Sequence, residues 1–128
     1  MSRITKTLVL AACGTLSVAA ALPPEARLDR MLEGRVAGRP VDCINLRDIR
    51  SSQIIDGTAI VYQVGGKLYV NRPRGGASSL DRDDILVTNT VTSQLCSIDV
   101  VHLVDRTSRF QTGFVQLGEF VPYAKPKR

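Results

Sequence analysis

The sequence has no tryptophan, one histidine, three cysteines, and only three phenylalanines and three tyrosines among 128 residues. With so few aromatic side chains, valine, isoleucine and leucine must supply most of the buried area, and this mix favours strands over helices. One histidine, His102, is too few for a zinc site of the usual kind, and no serine or cysteine stands in a glycine elbow. We therefore expect a mainly β protein that is not an enzyme and holds no metal and no cofactor.

A basic cluster of the kind that binds nucleic acid is also missing. Without the first 21 residues, 15 basic and 12 acidic residues remain, which gives a net charge of +3 (15 − 12). A nearly neutral body lacks the basic face that DNA and RNA require. We expect the partner to be an unidentified envelope component or a small ligand, and not a nucleic acid.

The first 21 residues have the features of an export signal. Two basic residues precede an apolar run over residues 8–21, which ends in three alanines that suit cleavage. We expect a periplasmic or secreted protein whose mature chain begins at Leu22. One alternative stays open, because Leu-Ala-Ala-Cys ending at Cys13 reads as a lipobox, and lipidation there would anchor the protein to a membrane. The apolar residues that follow Cys13 count against a lipoprotein.

Residues 22–42 are predicted to form a short helix and a connector. Leu28, Met31 and Leu32 recur at helical spacing after Pro24, and this stripe suits packing on the protein's own sheet.

Residues 43–123 form one predicted β-rich domain, followed by a basic tail over 124–128. Turn-forming clusters separate about six short strands, which we place at Ile49–Ile55, Ala59–Val64, Lys67–Arg72, Ile85–Thr90, Val100–Val104 and Gly113–Leu117. Short, evenly spaced strands favour a small antiparallel barrel or a two-layer sandwich.

A hairpin is the most strongly marked element, with a Gly-Gly turn at residues 65–66. Counting back from that turn places Tyr62 opposite Tyr69 and Val61 opposite Val70, so the tyrosines and the valines lie on opposite faces. We expect the valine face to be the core. The tyrosine pair on the second face is either a cross-strand stabiliser or a platform for a ligand.

The candidate binding residues are thus Tyr62 and Tyr69, joined by Arg72 and Arg74. The two arginines precede a Gly-Gly pair, and such a turn could hold an anion through its amides, although most basic glycine turns are only turns.

Two groups of acidic residues could carry a function, but each also has a purely structural interpretation. His102 with Asp99 and Asp105 could form a base and its orienting carboxylate, but in a strand this histidine is expected to face outward. The acidic residues at 81, 83 and 84 lack the glycine and the distal glutamate of a calcium loop, so a solvated turn is expected.

Cys43 and Cys96 are the only cysteines left once the first 21 residues are removed. An exported chain with two cysteines most simply pairs them. The redox alternative lacks the Cys-x-x-Cys spacing that lowers a thiol pKa.

Most of the mature chain resembles a family of small, exported, uncharacterised proteobacterial proteins that is common in sphingomonads and is described as a domain of unknown function. The stretches that carry the resemblance are GRVAG (34–38), PVDCINLRDIRSSQIIDGTAIVY (40–62), LYVNRPR (68–74), LCSIDVV (95–101) and LGEFVPY (117–123).

The resemblance implies export and a cysteine framework, and it supplies no activity and no catalytic residue. Many family members carry a second cysteine pair, near Ser78 and near Phe114 or Val115, and this chain lacks both. Joint absence implies that those two are bonded to each other, which again leaves Cys43 with Cys96.

Overall fold

The structure, a computed structural model, describes residues 22–127. One α-helix, α1, spans Pro24–Met31, and two short 3-10 helices span Leu46–Asp48 and Ala77–Ser79. The strands are β1 Val36–Ala37, β2 Cys43–Asn45, β3 Ile49–Ile55, β4 Ala59–Val64, β5 Lys67–Asn71, β6 Asp84–Thr88, β7 Gln94–Cys96, β8 Val100–Asp105, β9 Gln111–Gln116 and β10 Phe120–Ala124.

The strands form three antiparallel sheets in a mainly β, sandwich-like fold. The largest sheet has the order β1-β10-β5-β4-β3, a second has the order β6-β8-β9, and β2 pairs with β7. The barrel alternative is wrong for residues 22–127, because none of these sheets closes on itself.

All six predicted strands exist, with ends that differ by at most two residues, and four more strands accompany them. Three of the four, β1, β2 and β7, have two or three residues each and are too short to show alternation. The fourth, β10, contains Pro122, and a proline within a run argues against a strand in sequence reasoning.

The central hairpin has the predicted register. β4 and β5 pair Val64 with Lys67, Tyr62 with Tyr69 and Val61 with Val70. Gly65 in the turn has a φ of 58°, a left-handed conformation that glycine adopts without steric cost. The pattern alone was sufficient here because the loop length fixes the pairing.

Both faces of the hairpin are buried, so the valine face is one of two core faces and Tyr62 is not open to solvent. The valine face packs against α1, where Leu28 is 1% exposed in a cluster with Ile55, Ala59, Val61 and Val70. The opposite face carries Tyr62, only 3% exposed, in the larger core that the sheet shares with β8 and β9. The physical reason is the two-layer packing, which covers the second face of the sheet with the other sheet.

A buried asparagine joins the largest sheet to the segment that enters β10. Asn71 is fully buried, and its amide donates to the carbonyl of Gly118 at 2.7 Å while its oxygen accepts the Gly118 N–H at 2.9 Å. Both polar ends of the side chain are therefore satisfied, as a buried amide requires.

The disulfide between Cys43 and Cys96 is present, as predicted. The two cysteines lie directly opposite each other in the β2–β7 pair, and the bond is consistent with an oxidising compartment. The second pair that the resemblance implies stays a prediction, although the 3-10 helix that contains Ser78 does contact β9.

Val70→Asp should lower the melting temperature far more than Lys67→Asp. Val70 is 3% exposed in the core under α1, whereas Lys67 is exposed beside the turn. An unpaired charge in the core costs several kcal/mol, and a surface substitution usually changes stability by less than ~0.5 kcal/mol. Thermal unfolding followed by circular dichroism measures both, and equal melting temperatures would refute the burial of the valine face.

Reduction should destabilise the protein, because the Cys43–Cys96 bond closes a segment of 53 residues. The chain-entropy argument gives a stabilisation of about 4 kcal/mol for such a loop. Cys43→Ser and Cys96→Ser should each produce nearly the whole loss, and the double variant should add little, because either change breaks the bond. Thiol counting on the unreduced, denatured protein is the direct check, and two free thiols per chain would contradict the bond.

Candidate functional site

The four residues predicted to bind a ligand do not form an open site. Tyr62 is enclosed in the core, with its ring centre 5.9 Å from that of Phe120. Tyr69 lies beside it and is half-buried against the same core. The tyrosine pair is therefore a packing feature of the sheet.

The Tyr62 hydroxyl is buried and has no hydrogen-bond partner among residues 22–127. Burial raises the pKa of this phenol well above its ordinary value, because the charged form would lie in an apolar environment.

The two candidate arginines form their hydrogen bonds with other residues and not with the tyrosines. Arg72 forms a bidentate ion pair with the Glu25 carboxylate. Nη1 donates to Oε1 at 2.8 Å, and Nη2 donates to Oε2 at 3.2 Å. The hydrogen bond from Arg72 lowers the pKa of Glu25, so the pair stays ionised. Arg74 is exposed, and its main-chain N–H donates to the carbonyl of Gln116 at 2.9 Å. An anion at Arg72 would have to displace Glu25.

His102 faces outward and is half-buried, as predicted, on the sheet formed by β6, β8 and β9. Its ring lies 6.5 Å from that of Phe114, and Nδ1 is 3.1 Å from the Gln111 amide nitrogen. Asp99 accepts the N–H of Cys96, and Asp105 closes the turn after β8. Within residues 22–127 no hydrogen bond or ion pair joins His102 to either carboxylate.

The acidic run before β6 forms a turn. The Asp81 carboxylate accepts the N–H of Asp83 at 2.9 Å, and Asp84 accepts the Thr112 hydroxyl at 2.7 Å. Over the part of the chain that the structure describes, no three histidine, cysteine, aspartate or glutamate side chains are grouped closely enough to hold a metal ion.

A cleft lies elsewhere in the described residues, between the edges of the two main sheets. It has a volume of about 520 Å³, within the usual range for a ligand pocket. One wall is the middle of β3 and the other is the start of β6. The lining residues are Arg27, Ser52, Gln53, Ile54, Arg82, Asp83, Asp84, Ile85, Leu86 and Arg106.

Asp56, in the turn between β3 and β4, organises one end of this cleft. Its carboxylate lies 3.3 Å from the Arg27 guanidinium and 4.0 Å from that of Arg82, and it also accepts the Arg82 N–H at 2.7 Å. One carboxylate thus holds two arginines. Arg106 is exposed and has no ion pair within residues 22–127.

Sequence reasoning missed this arginine-lined cleft, which we call the edge cleft. Its three arginines come from α1, from the turn before β6 and from the turn after β8. They are far apart in the chain and follow no motif spacing, so only the packing of the two sheets brings them together.

No helix in residues 22–127 is long and apolar enough to cross a membrane. Cys13, the candidate lipidation site, and the predicted export signal lie outside the described residues. No family model, no curated protein and no solved structure matches the chain.

Tyr62→Phe should leave the free energy of unfolding at pH 7 unchanged or raise it by up to ~1 kcal/mol, because the deleted hydroxyl has no partner to lose. Chemical denaturation measures the difference. A loss of 1 kcal/mol or more would mean that the hydroxyl is hydrogen-bonded in the folded protein.

The same variant should change the response to alkali. The unfolded tyrosine ionises near pH 10 while burial keeps the folded one protonated. The stability that this difference provides is complete below pH 10 and is lost as the pH rises above it. Between about pH 10 and 11.5 the wild type should lose up to ~1.4 kcal/mol per pH unit more than Tyr62→Phe. Parallel stability curves in that range would contradict the raised pKa.

Proposed function

We propose that this is an exported, non-enzymatic binding protein of the bacterial envelope, and that the edge cleft is its binding site. The observation that carries the proposal is the cleft itself, about 520 Å³ in volume and bordered by Arg27, Arg82 and Arg106. Binding sites are concave and combine apolar walls with a few placed polar groups. Ile54, with its apolar side chain, is among the residues that line the same space.

The chemistry of the cleft favours binding over catalysis. Its ionisable groups are arginines, which stay protonated and cannot act as general bases at neutral pH, together with Asp83 and Asp84. Asp84 is 8% exposed and accepts a hydrogen bond from Thr112. Ser52 and Asp83 also line the space, but no hydrogen bond joins their side chains in residues 22–127, so these residues do not form the nucleophile–base pair that a hydrolytic site needs.

A periplasmic location is part of the proposal. The disulfide supports it, because such bonds persist in oxidising compartments. Lipidation at Cys13 would keep the same cleft and place it at a membrane surface, so the second location does not change the proposed site. A small anionic ligand is the second candidate, and the observation that favours it is Arg106, which has no ion pair in the part of the chain that the structure describes.

Capture from an envelope extract tests the proposed site. Mature protein is immobilised as the wild type, as Arg106→Ser and as the control Arg39→Ser, which removes an exposed arginine outside the cleft. We expect the wild type and Arg39→Ser to retain the same component, identified by mass spectrometry, and Arg106→Ser to lose most of it. Equal retention by all three proteins, or retention of nothing, would contradict binding at the edge cleft.

A further inference from the structure

Some strands of the sheets are covered along their outer side by other main chain, and others are not. β10 is covered by β1, and β9 is covered where Arg74 and Gly75 form main-chain hydrogen bonds with Gln116. β3 pairs only with β4, and β6 pairs only with β8. Within residues 22–127, β3 and β6 are thus edge strands without a second partner strand, and both border the edge cleft.

The free edge of β3 presents main-chain groups to the cleft. Val64 and Lys67 close a two-residue hairpin as a hydrogen-bonded pair, so by alternation Tyr62 directs its main-chain N–H and C=O towards β5. Ser52 lies opposite Tyr62 across the β3–β4 ladder. It therefore directs its own N–H and C=O away from β4, to the uncovered side.

The same alternation applies to β6. The carbonyl of Leu103 in β8 accepts a hydrogen bond from Thr112 of β9, so the main chain of Leu103 faces β9. Leu86 lies directly opposite Leu103 in the β6–β8 ladder. Its N–H and C=O therefore face away from β8, and Leu86 is among the residues that line the cleft.

Both walls of the edge cleft thus offer unpaired donors and acceptors spaced for a strand. An exposed edge is a template for another polypeptide chain, and strand addition uses these main-chain groups for affinity. In β3, residues 50–53 are all exposed, so neither face of the strand is covered at this point. A bound chain can approach there without displacing packed side chains.

The charges around the cleft select the kind of chain. Arg27 and Arg82 share one carboxylate, that of Asp56, and Arg106 has no ion-pair partner in the described residues. Asp83 and Asp84 also line the cleft, and the Asp84 carboxylate accepts a hydrogen bond from the Thr112 hydroxyl. Three carboxylates thus stand against three arginines, and Arg106 is the guanidinium without a carboxylate partner in residues 22–127. Guanidinium groups bind carboxylates in pairs of charge-assisted hydrogen bonds, so Arg106 is the group that an acidic side chain would pair with.

We propose that the edge cleft binds an extended segment of another polypeptide, which adds as a strand to the edge of β3 and carries aspartate or glutamate side chains for the arginines. The inference rests on the proposed function and names its ligand class. Successive side chains of such a strand point to opposite faces, so acidic residues two positions apart would lie on the same face of the bound strand.

Ser52→Pro tests the main-chain pairing directly. Proline removes the outward N–H of Ser52 without removing a hydrogen bond to β4, and edge strands accept proline in this orientation. Ser52→Ala is the matched control, because it deletes the side chain and keeps the N–H. The probe is a displayed library of random eight-residue peptides, selected on the wild-type protein and then measured by calorimetry.

We expect the selected peptides to be rich in acidic residues and free of internal proline. Ser52→Pro should weaken their binding about tenfold or more, whereas Ser52→Ala should bind as the wild type does. Arg106→Glu should also weaken binding, through repulsion of the acidic side chains. In amide exchange, the peptide should protect the N–H of Ser52. Peptides that bind Ser52→Pro and wild type equally, without such protection, would overturn strand addition.

Citrate, a small anion that cannot add as a strand, distinguishes failure of strand addition from failure of the proposed binding site. If citrate shifts the cleft amides in NMR spectra, Arg106→Ser abolishes the shifts, and no peptide depends on Ser52, then the cleft is a binding site and strand addition is wrong. If neither citrate nor any selected peptide perturbs the cleft, both proposals are wrong. Sedimentation analysis of the oligomeric state tests whether a second copy of this chain occupies the cleft instead. A wild-type dimer that Ser52→Pro dissociates would overturn the assignment to another polypeptide and identify a second copy of this chain.

Discussion

Burial of the β4–β5 hairpin on both faces is the constraint on which the rest of the structure depends. Val61 and Val70 need a cover on one face, and α1 supplies it through Leu28. Ile60 and Tyr62 need a cover on the other, and the sheet of β6, β8 and β9 supplies it. A domain with few aromatic residues has a modest core, and two-sided burial of one hairpin makes the most of its aliphatic side chains.

The edge cleft follows from this arrangement. The hairpin has a paired neighbour on each side, so β3 becomes the last strand of its sheet, and the residues at its middle extend beyond both cores. The covering sheet likewise ends at β6. Asp56 then ties α1 and the turn before β6 to the end of β3 through Arg27 and Arg82. These contacts are half-exposed and contribute about 0.2–1 kcal/mol each, so they orient the wall more than they stabilise it.

Local patterns in the sequence predicted the helix, six strands, the hairpin register and the disulfide. Each of these depends on short-range spacing or on the number of cysteines. What the patterns missed depends on how the sheets pack. Alternation along the hairpin shows that the tyrosines and the valines lie on opposite faces. It does not show whether a second layer of the protein covers the tyrosine face. The three cleft arginines follow no spacing, since they come from one helix and two separate turns.

Two uncovered edges would ordinarily invite association of any exposed strand. Natural proteins protect such edges with charged side chains and by twisting or covering them. Here the two edges face the same cleft, and Arg106, which has no ion pair within residues 22–127, stands at its border. An uncharged or basic strand would therefore have to desolvate guanidinium groups without giving Arg106 a partner. A strand with carboxylates would satisfy them. In the proposed complex, the residues that discourage unspecific pairing are therefore the same ones that favour the correct partner, because specificity is a difference between two binding free energies.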